Sequence, residues 1–161
     1  MSVLNKVRIA VIGATGYTGL DLVYILSKHP GAKIISLCAT KKIGKKISYF
    51  DKRIKKSLPK ISSIKSINWN NIDLVFLSLP NGEAQKIIKT TFNKFKELKY
   101  IDLSADFRIK NKNVYYKNYK IRHKAPDLIK HSLYSICELK KKKIPKYRII
   151  SIIWFLLLKF L

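Results

Sequence analysis

Hydrophobic positions fall in short blocks whose period alternates along the chain. Val7 to Ile12 is an apolar run of strand length, and after Gly13 to Gly19 the residues Leu22, Val23, Ile25 and Leu26 recur at helical spacing. His29-Pro30-Gly31 stops that helix near Lys28, and Lys33 to Leu37 reads as the second strand. Asp73 to Leu79 is nearly continuously apolar, as in strands buried on both faces of a parallel sheet. Pro80-Asn81-Gly82 turns the chain, Glu83 to Lys96 is expected to be a helix with Ala84, Ile87, Ile88 and Phe92 on one side, and Tyr100 to Leu103 is the next strand. This alternation predicts an α/β fold: a Rossmann-type, doubly wound, mostly parallel sheet. Gly44 to Asn71 is weakly patterned and reads as a loop-rich connection with one short helix and one short strand. Val114 to Tyr119 reads as a Tyr- and Lys-rich cover over a core, and His123 to Asp127 as a loop into a helix starting near Pro126.

At 161 residues with 47% hydrophobic content, one domain with a sizeable core is expected, over residues 1–150, followed by an apolar tail, 151–161. The 34 Lys and Arg against 9 Asp and Glu leave a net charge of +25, which raises nucleic acid or an anionic membrane as a partner. The lysines are dispersed, however, and accompany abundant Ile, Asn, Tyr and Phe, all residues with AT-rich codons, so genome composition explains the charge as well as a partner does. A basic nucleic-acid-binding protein stays as the alternative from a different class; specific nucleic-acid binding is not the main expectation. With two cysteines and no apolar leader before the first strand, a cytoplasmic protein without a disulfide framework is expected. Cys38 reads as a small buried hydrophobe.

The chemistry concentrates in Gly13-Ala14-Thr15-Gly16-Tyr17-Thr18-Gly19, between strand and helix. One glycine permits a sharp turn, one lets a phosphate approach backbone N–H groups with no Cβ in the way, and one lets the helix pack close on the strand. The helix N-terminus favours an anion, so the pyrophosphate of a dinucleotide is the expected ligand. The end of the second strand should meet the adenosine ribose, where a carboxylate would select NAD. The residues there are Ala39, Thr40, Lys41 and Lys42, so a 2′-phosphate, and therefore NADP, is expected. Ser104, Asp106 and Arg108 sit at the carboxyl end of a strand and suit either a substrate or nicotinamide pocket or an internal Asp–Arg pair with a serine-capped turn. No metal site is read.

Taken together, Gly13 to Gly19, Val75 to Gly82, Ile101 to Arg108 and His123-Lys124-Ala125-Pro126-Asp127-Leu128 resemble the N-acetyl-gamma-glutamyl-phosphate reductase family. The glycine block alone also admits aspartate-semialdehyde dehydrogenase relatives; the Asp-Phe-Arg and His-Lys-Ala-Pro blocks discriminate. Tyr134-Ser135-Ile136-Cys137-Glu138-Leu139 is similar to the family's Tyr-Gly-Leu-Pro-Glu-Leu. The resemblance implies an NADP-dependent oxidoreductase of arginine biosynthesis that reduces N-acetyl-glutamyl phosphate to the semialdehyde through a cysteine thioester, with Pro80 and Asn81 on the nicotinamide side.

The family carries its nucleophile in an Asn-Pro-Gly-Cys-Tyr-Pro-Thr block directly after a strand expected near Arg148 to Ser151. This chain reads Ser151-Ile152-Ile153-Trp154-Phe155-Leu156 there, and Cys137 takes a position the family gives to proline. No catalytic residue is therefore assigned, and the family's second, substrate-binding and dimerising domain is expected to be missing. A non-catalytic NADP-binding fragment is the expected alternative. The switch to the apolar tail is what a frameshift or truncated frame would produce. As a membrane anchor the tail is too short, since Ile149 to Leu161 as helix rises only about 20 Å against a hydrocarbon core of roughly 30 Å.

Overall fold

A computed structural model describes residues 5–135 and 142–153. In it the first apolar run is a strand, β1 (Val7–Ile12), followed by helix α1 (Tyr17–Lys28) and strand β2 (Ala32–Cys38). These belong to the first of two compact units, residues 1–78, which also holds β3 (Ile61–Ser62) and β4 (Leu74–Leu77). Its strands run parallel in the order β3-β2-β1-β4. Because β1 pairs on both edges, Ile9, Ala10, Val11 and Ile12 are all buried, and Leu22, Val23 and Leu26 of α1 are buried with them. Arg8 and Asp73 join the starts of β1 and β4: the Arg8 backbone N–H donates to Asp73 at 2.7 Å and its Nη2 at 2.7 Å. The Arg8 hydrogen bonds hold the Asp73 carboxyl below its ordinary range.

The connection between Gly44 and Asn71 has β3 as its one strand but three 3-10 turns, at Ile47–Tyr49, Ile64–Ser66 and Trp69–Asn71, where the sequence predicts one short helix. Arg53 fastens this segment: its guanidinium donates to Asp51 at 2.7 Å and to Asp21 of α1 at 2.6 Å, and lies 4.7 Å from the Tyr24 ring centroid. No hydrophobic period announces that anchor.

The second unit, residues 79–161, contains α2 (Glu83–Thr91), β5 (Lys99–Asp102), α3 (Lys112–Tyr119), β6 (Ser132–Tyr134) and β7 (Ile149–Ser151). Its strands are parallel in the order β5-β7-β6, with Ile150 opposite both Ile101 and Leu133. Helix α2 stops at Thr91, short of the expected Lys96. The Thr90 and Thr91 hydroxyls both donate back to the Ile87 carbonyl, and Arg148 takes the carbonyls of Phe92 (2.9 Å) and Phe95 (2.6 Å) that a longer helix would use. The Tyr- and Lys-rich segment is a helix, α3, started by Asn111, whose side chain accepts from the N–H groups of Asn113 and Val114. The helix expected at Pro126 is a 3-10 turn, Pro126–His131. Among the described residues no helix is long and apolar enough to cross a membrane. Cys137 and residues 154–161 of the tail lie outside the described residues, as does most of the 134–139 block.

Candidate nucleotide-binding site

Three contacts build the glycine turn. Gly13, at φ 86, leaves the end of β1 in a left-handed conformation. The N–H groups of Gly13 and Ala14 both donate to the Cys38 carbonyl, at 2.9 and 3.0 Å, which ties the turn to the end of β2. Gly16 N–H closes back onto the Gly13 carbonyl at 3.2 Å. Gly16 then caps α1 with no side-chain hydrogen bond, and the first turn holds no acidic residue. The opening N–H groups of a helix have no partner within it, so this end offers Tyr17, Thr18 and Gly19 donors and a positive partial charge to an anion.

The glycines here do different work. A Cβ on Gly19 would lie 2.1 Å from the Gly13 carbonyl oxygen, so α1 packs on the turn at a distance only glycine allows. A Cβ on Gly16 would meet that oxygen at 3.6 Å, an ordinary contact, so glycine at 16 leaves open the space in front of the helix. Ala14 is fully buried, Thr15 and Thr18 are partly exposed, and Tyr17 is 95% exposed, standing free of the core at the helix start.

Thr40, Lys41 and Lys42 follow β2 and are exposed. They lie beyond the Cys38 carbonyl that holds the glycine turn, and Lys42 opens a reverse turn in which its carbonyl accepts from Lys45 N–H. Neither lysine is in an ion pair among the described residues. Cys38 is buried as expected, with its thiol against the Ser36 and Ser62 hydroxyls at 3.4 and 3.5 Å. A cavity of about 400 Å³ lies at the other end of these strands, lined by residues including Lys6, Leu26, Ala32, Lys33, Ile34 and Lys56. It borders the C-terminal end of α1, where the partial charge is negative, so the glycine turn is the better anion site.

In the second unit Pro80 and Asn81 are exposed and precede α2. Ser104, Asp106 and Arg108 fall on one loop after β5, and the protein itself occupies most of their polar atoms. Asp102 is fully buried and accepts from Ser104 N–H (2.9 Å), the Ser104 hydroxyl, Phe107 N–H (3.1 Å) and the Ser151 hydroxyl (2.9 Å). Burial pushes its pKa up, against the opposing pull of these donors. Asp106 is buried and accepts from Gly82 N–H, Gln85 N–H and the Tyr115 hydroxyl. Arg108 donates from Nη2 to the Leu103 and Ile152 carbonyls, both at 3.1 Å, while its buried Nε has no partner. The Asp–Arg pair that the sequence allows does not form; both side chains bond elsewhere. Sequence reasoning missed Asp102, Gln85 and Tyr115, whose only signal was polar character inside otherwise buried segments.

His123 completes this cluster. Its Nδ1 accepts from Ala125 N–H at 3.1 Å, so Nε2 carries the proton and donates to the Asp106 carbonyl at 2.8 Å. Burial lowers its pKa. A histidine held neutral contributes stability that is complete above the unfolded value, about 6.5, and is lost as pH falls through the lower folded value. Asp106, Asp127 and the Tyr115 ring face it, and buried Asp102 acts in the opposite sense because its raised pKa favours folding as pH falls. The expected result is that His123→Asn, though less stable throughout, loses less Tm between pH 7 and pH 5 than the unmutated chain. Equal losses in thermal melts would contradict this assignment of the proton.

A parallel sheet with a glycine turn running from its strand end into an uncapped helix is the architecture of a Rossmann-type dinucleotide-binding domain. The family described as semialdehyde dehydrogenase, NAD binding domain, matches residues 8–147. The chain belongs to the semialdehyde dehydrogenase family and carries its NAD-binding domain. It is 43% identical over 148 residues to an N-acetyl-gamma-glutamyl-phosphate reductase of Ehrlichia ruminantium (strain Gardel), covering 91% of this chain and 42% of the relative. A probable chloroplastic N-acetyl-gamma-glutamyl-phosphate reductase of Oryza sativa subsp. japonica is 39% identical, with 91% and 35% covered. The chain thus spans about two fifths of the length of these curated relatives. In fold it is similar to aspartate semialdehyde dehydrogenase II from Vibrio cholerae (TM-score 0.64, 16% identity, 91% and 38% covered). It is also similar to the Candida albicans aspartate semialdehyde dehydrogenase with NADP (TM-score 0.56, 18% identity, 91% and 42% covered).

Proposed function

We propose that the chain binds NADP, with Gly13, Ala14, Thr15, Gly16, Tyr17, Thr18 and Gly19 around the pyrophosphate. The observation that carries this reading is the uncapped, acid-free N-terminus of α1 behind a turn whose Gly19 has no room for a side chain. Thr40 and Lys41 take the 2′-phosphate, supported by their exposure, their place after β2 and the absence of a carboxylate there. Replacing Lys41 and Lys42 by Ala is expected to weaken NADPH binding about tenfold and to leave NADH binding nearly unchanged. Equal affinity of the unmutated chain for the two cofactors would overturn the preference. Pro80 and Asn81 serve the nicotinamide side, and Ser104 and Arg108 border the substrate or nicotinamide pocket, Arg108 through the Nε that its own loop leaves unpartnered.

The reaction this domain serves is proposed to be that of the relatives it resembles, the NADPH-dependent reduction of N-acetyl-glutamyl phosphate to N-acetyl-glutamate semialdehyde. Bound at the glycine turn, NADPH supplies the hydride. Residues 1–161 supply the cofactor site and not the nucleophile: Ser151 and Ile152 stand where the family's cysteine block begins, and Cys38 is enclosed by serine hydroxyls at the end of β2. A polypeptide of these 161 residues is expected to bind NADPH without oxidising N-acetyl-glutamate semialdehyde in the presence of NADP and phosphate. Turnover abolished by Cys137→Ser would show that the nucleophile is within this stretch.

A further inference from the structure

We propose that Asp106 is a positioning residue for the cofactor: from the loop after β5 its carboxylate sets the Pro80–Asn81–Gly82 turn that receives the nicotinamide half. The proposal rests on the NADP reading above and extends it to a residue that does not itself touch the ligand.

Helix α2 begins after Gly82, which has φ 91 and no side chain with which to cap the helix. Asp106 does the capping from 24 residues away, accepting from Gly82 N–H at 2.8 Å and from Gln85 N–H at 3.2 Å. The peptide between Asn81 and Gly82 is planar, so fixing the Gly82 N–H direction also fixes where the Asn81 carbonyl points. Asn81 and Pro80 are exposed; the Asn81 carbonyl is thereby oriented by a group that is fully buried, and the Pro80 carbonyl accepts from Glu83 N–H at 3.2 Å, in the first turn of the helix that Asp106 caps.

The carboxylate is itself held on every side. The Tyr115 hydroxyl donates to its Oδ1 at 2.7 Å and accepts from Gln85 Nε2 at 3.0 Å; Gln85 Oε1 accepts from Lys124 N–H; His123 Nε2 holds the Asp106 carbonyl at 2.8 Å. Beside Asp106, Tyr115 is harder to ionise, through burial first and then the carboxylate, so its hydroxyl remains a donor. Both oxygens of Asp106 accept N–H groups, Oδ1 from Gly82 and Oδ2 from Gln85. An amide offers only one accepting oxygen and sets an N–H₂ group against a backbone N–H, so Asn cannot replace Asp here. The negative charge also faces the positive end of α2.

The test compares two ligands, NADPH and 2′-phospho-ADP-ribose, which shares the adenosine and pyrophosphate parts but has no nicotinamide. Asp106→Asn in the 161-residue chain is expected to weaken NADPH binding about tenfold, the scale of one charge-assisted hydrogen bond, and to change 2′-phospho-ADP-ribose binding by less than about twofold. Tyr115→Phe removes one donor to the carboxylate while leaving both backbone bonds. It is expected to weaken NADPH about threefold with the same selectivity, and it keeps the test open if Asp106→Asn does not fold. Equal weakening of both ligands, or no change in either, overturns the positioning role while leaving the cofactor reading intact. An unmutated, folded chain that binds neither ligand overturns the cofactor reading, and the positioning role with it.

Discussion

Gly19→Ala is expected to destabilise the chain by about 3 kcal/mol or more and to abolish measurable NADPH binding. The added Cβ would sit 2.1 Å from the Gly13 carbonyl oxygen, 2.9 Å from the Gly13 carbonyl carbon and 3.0 Å from the Ala14 carbonyl carbon. All three are backbone atoms, so no side chain can rotate out of the way. Relief comes only by lifting α1 off the turn or by moving the turn, whose Gly13 and Ala14 N–H groups are bound to Cys38 O. Either displacement moves the helix N–H groups away from the place proposed for the phosphates. Gly16→Ala is the internal control. Its Cβ has a 3.6 Å contact and its φ of −77 is ordinary, so it is expected to cost about 1 kcal/mol or less in stability. The methyl group would nonetheless stand in the space proposed for the phosphate, so binding is expected to fall more than stability does. Thermal melts and NADPH titrations of the two variants check the contrast; equal stability of the two would contradict the packing account.

Arg148→Ala is expected to cost about 3 kcal/mol, a fall in Tm of roughly 10 °C for a chain of this size, with no direct effect on the glycine turn. One guanidinium donates to three carbonyls, Leu98 at 3.2 Å, Phe92 at 2.9 Å and Phe95 at 2.6 Å, and lies 3.9 Å from the Phe92 ring centroid. It therefore holds the segment that connects α2 to β5. Arg148→Lys should recover less than half of the loss, because an ammonium group cannot fork to three acceptors on one plane. Full recovery by Lys would mean that charge alone matters.

Strands β1 and β4 and the glycine turn were legible because period and punctuation agree there, whereas β6, three residues long, carries no period of its own. Val7–Ile12, interrupted only by Arg8, and the residues after Asp73, interrupted only by Ser78, are apolar runs ended by Gly or Pro, and Gly13 to Gly19 joins a strand to an amphipathic helix. The C-terminal end of α2 was not legible, since Phe92 continues the helical pattern while the carbonyls that decide the ending are taken by Arg148, 53 and 56 residues away. Helix α3 was obscured for another reason. Tyr115 is its only buried residue, so it has almost no hydrophobic period, and what starts it is the Asn111 side chain, a polar cap that no apolar pattern marks. At the candidate site, glycine spacing could be read because it encodes backbone shape. The Asp102 and Asp106 clusters could not, because a carboxylate serving backbone N–H groups looks in sequence like one awaiting a substrate.

The central claim is that a dinucleotide sits on the N-terminus of α1, and the most direct measurement is an NADP titration of the 161-residue chain followed through its backbone amide resonances. Saturable shifts are expected at Gly16, Tyr17, Thr18 and Gly19, with a 1:1 stoichiometry and persistence at moderate salt, because oriented N–H groups and not diffuse charge make the site. Shifts spread over the dispersed lysines and erased by salt, with the amides of residues 16–19 unmoved, would contradict it.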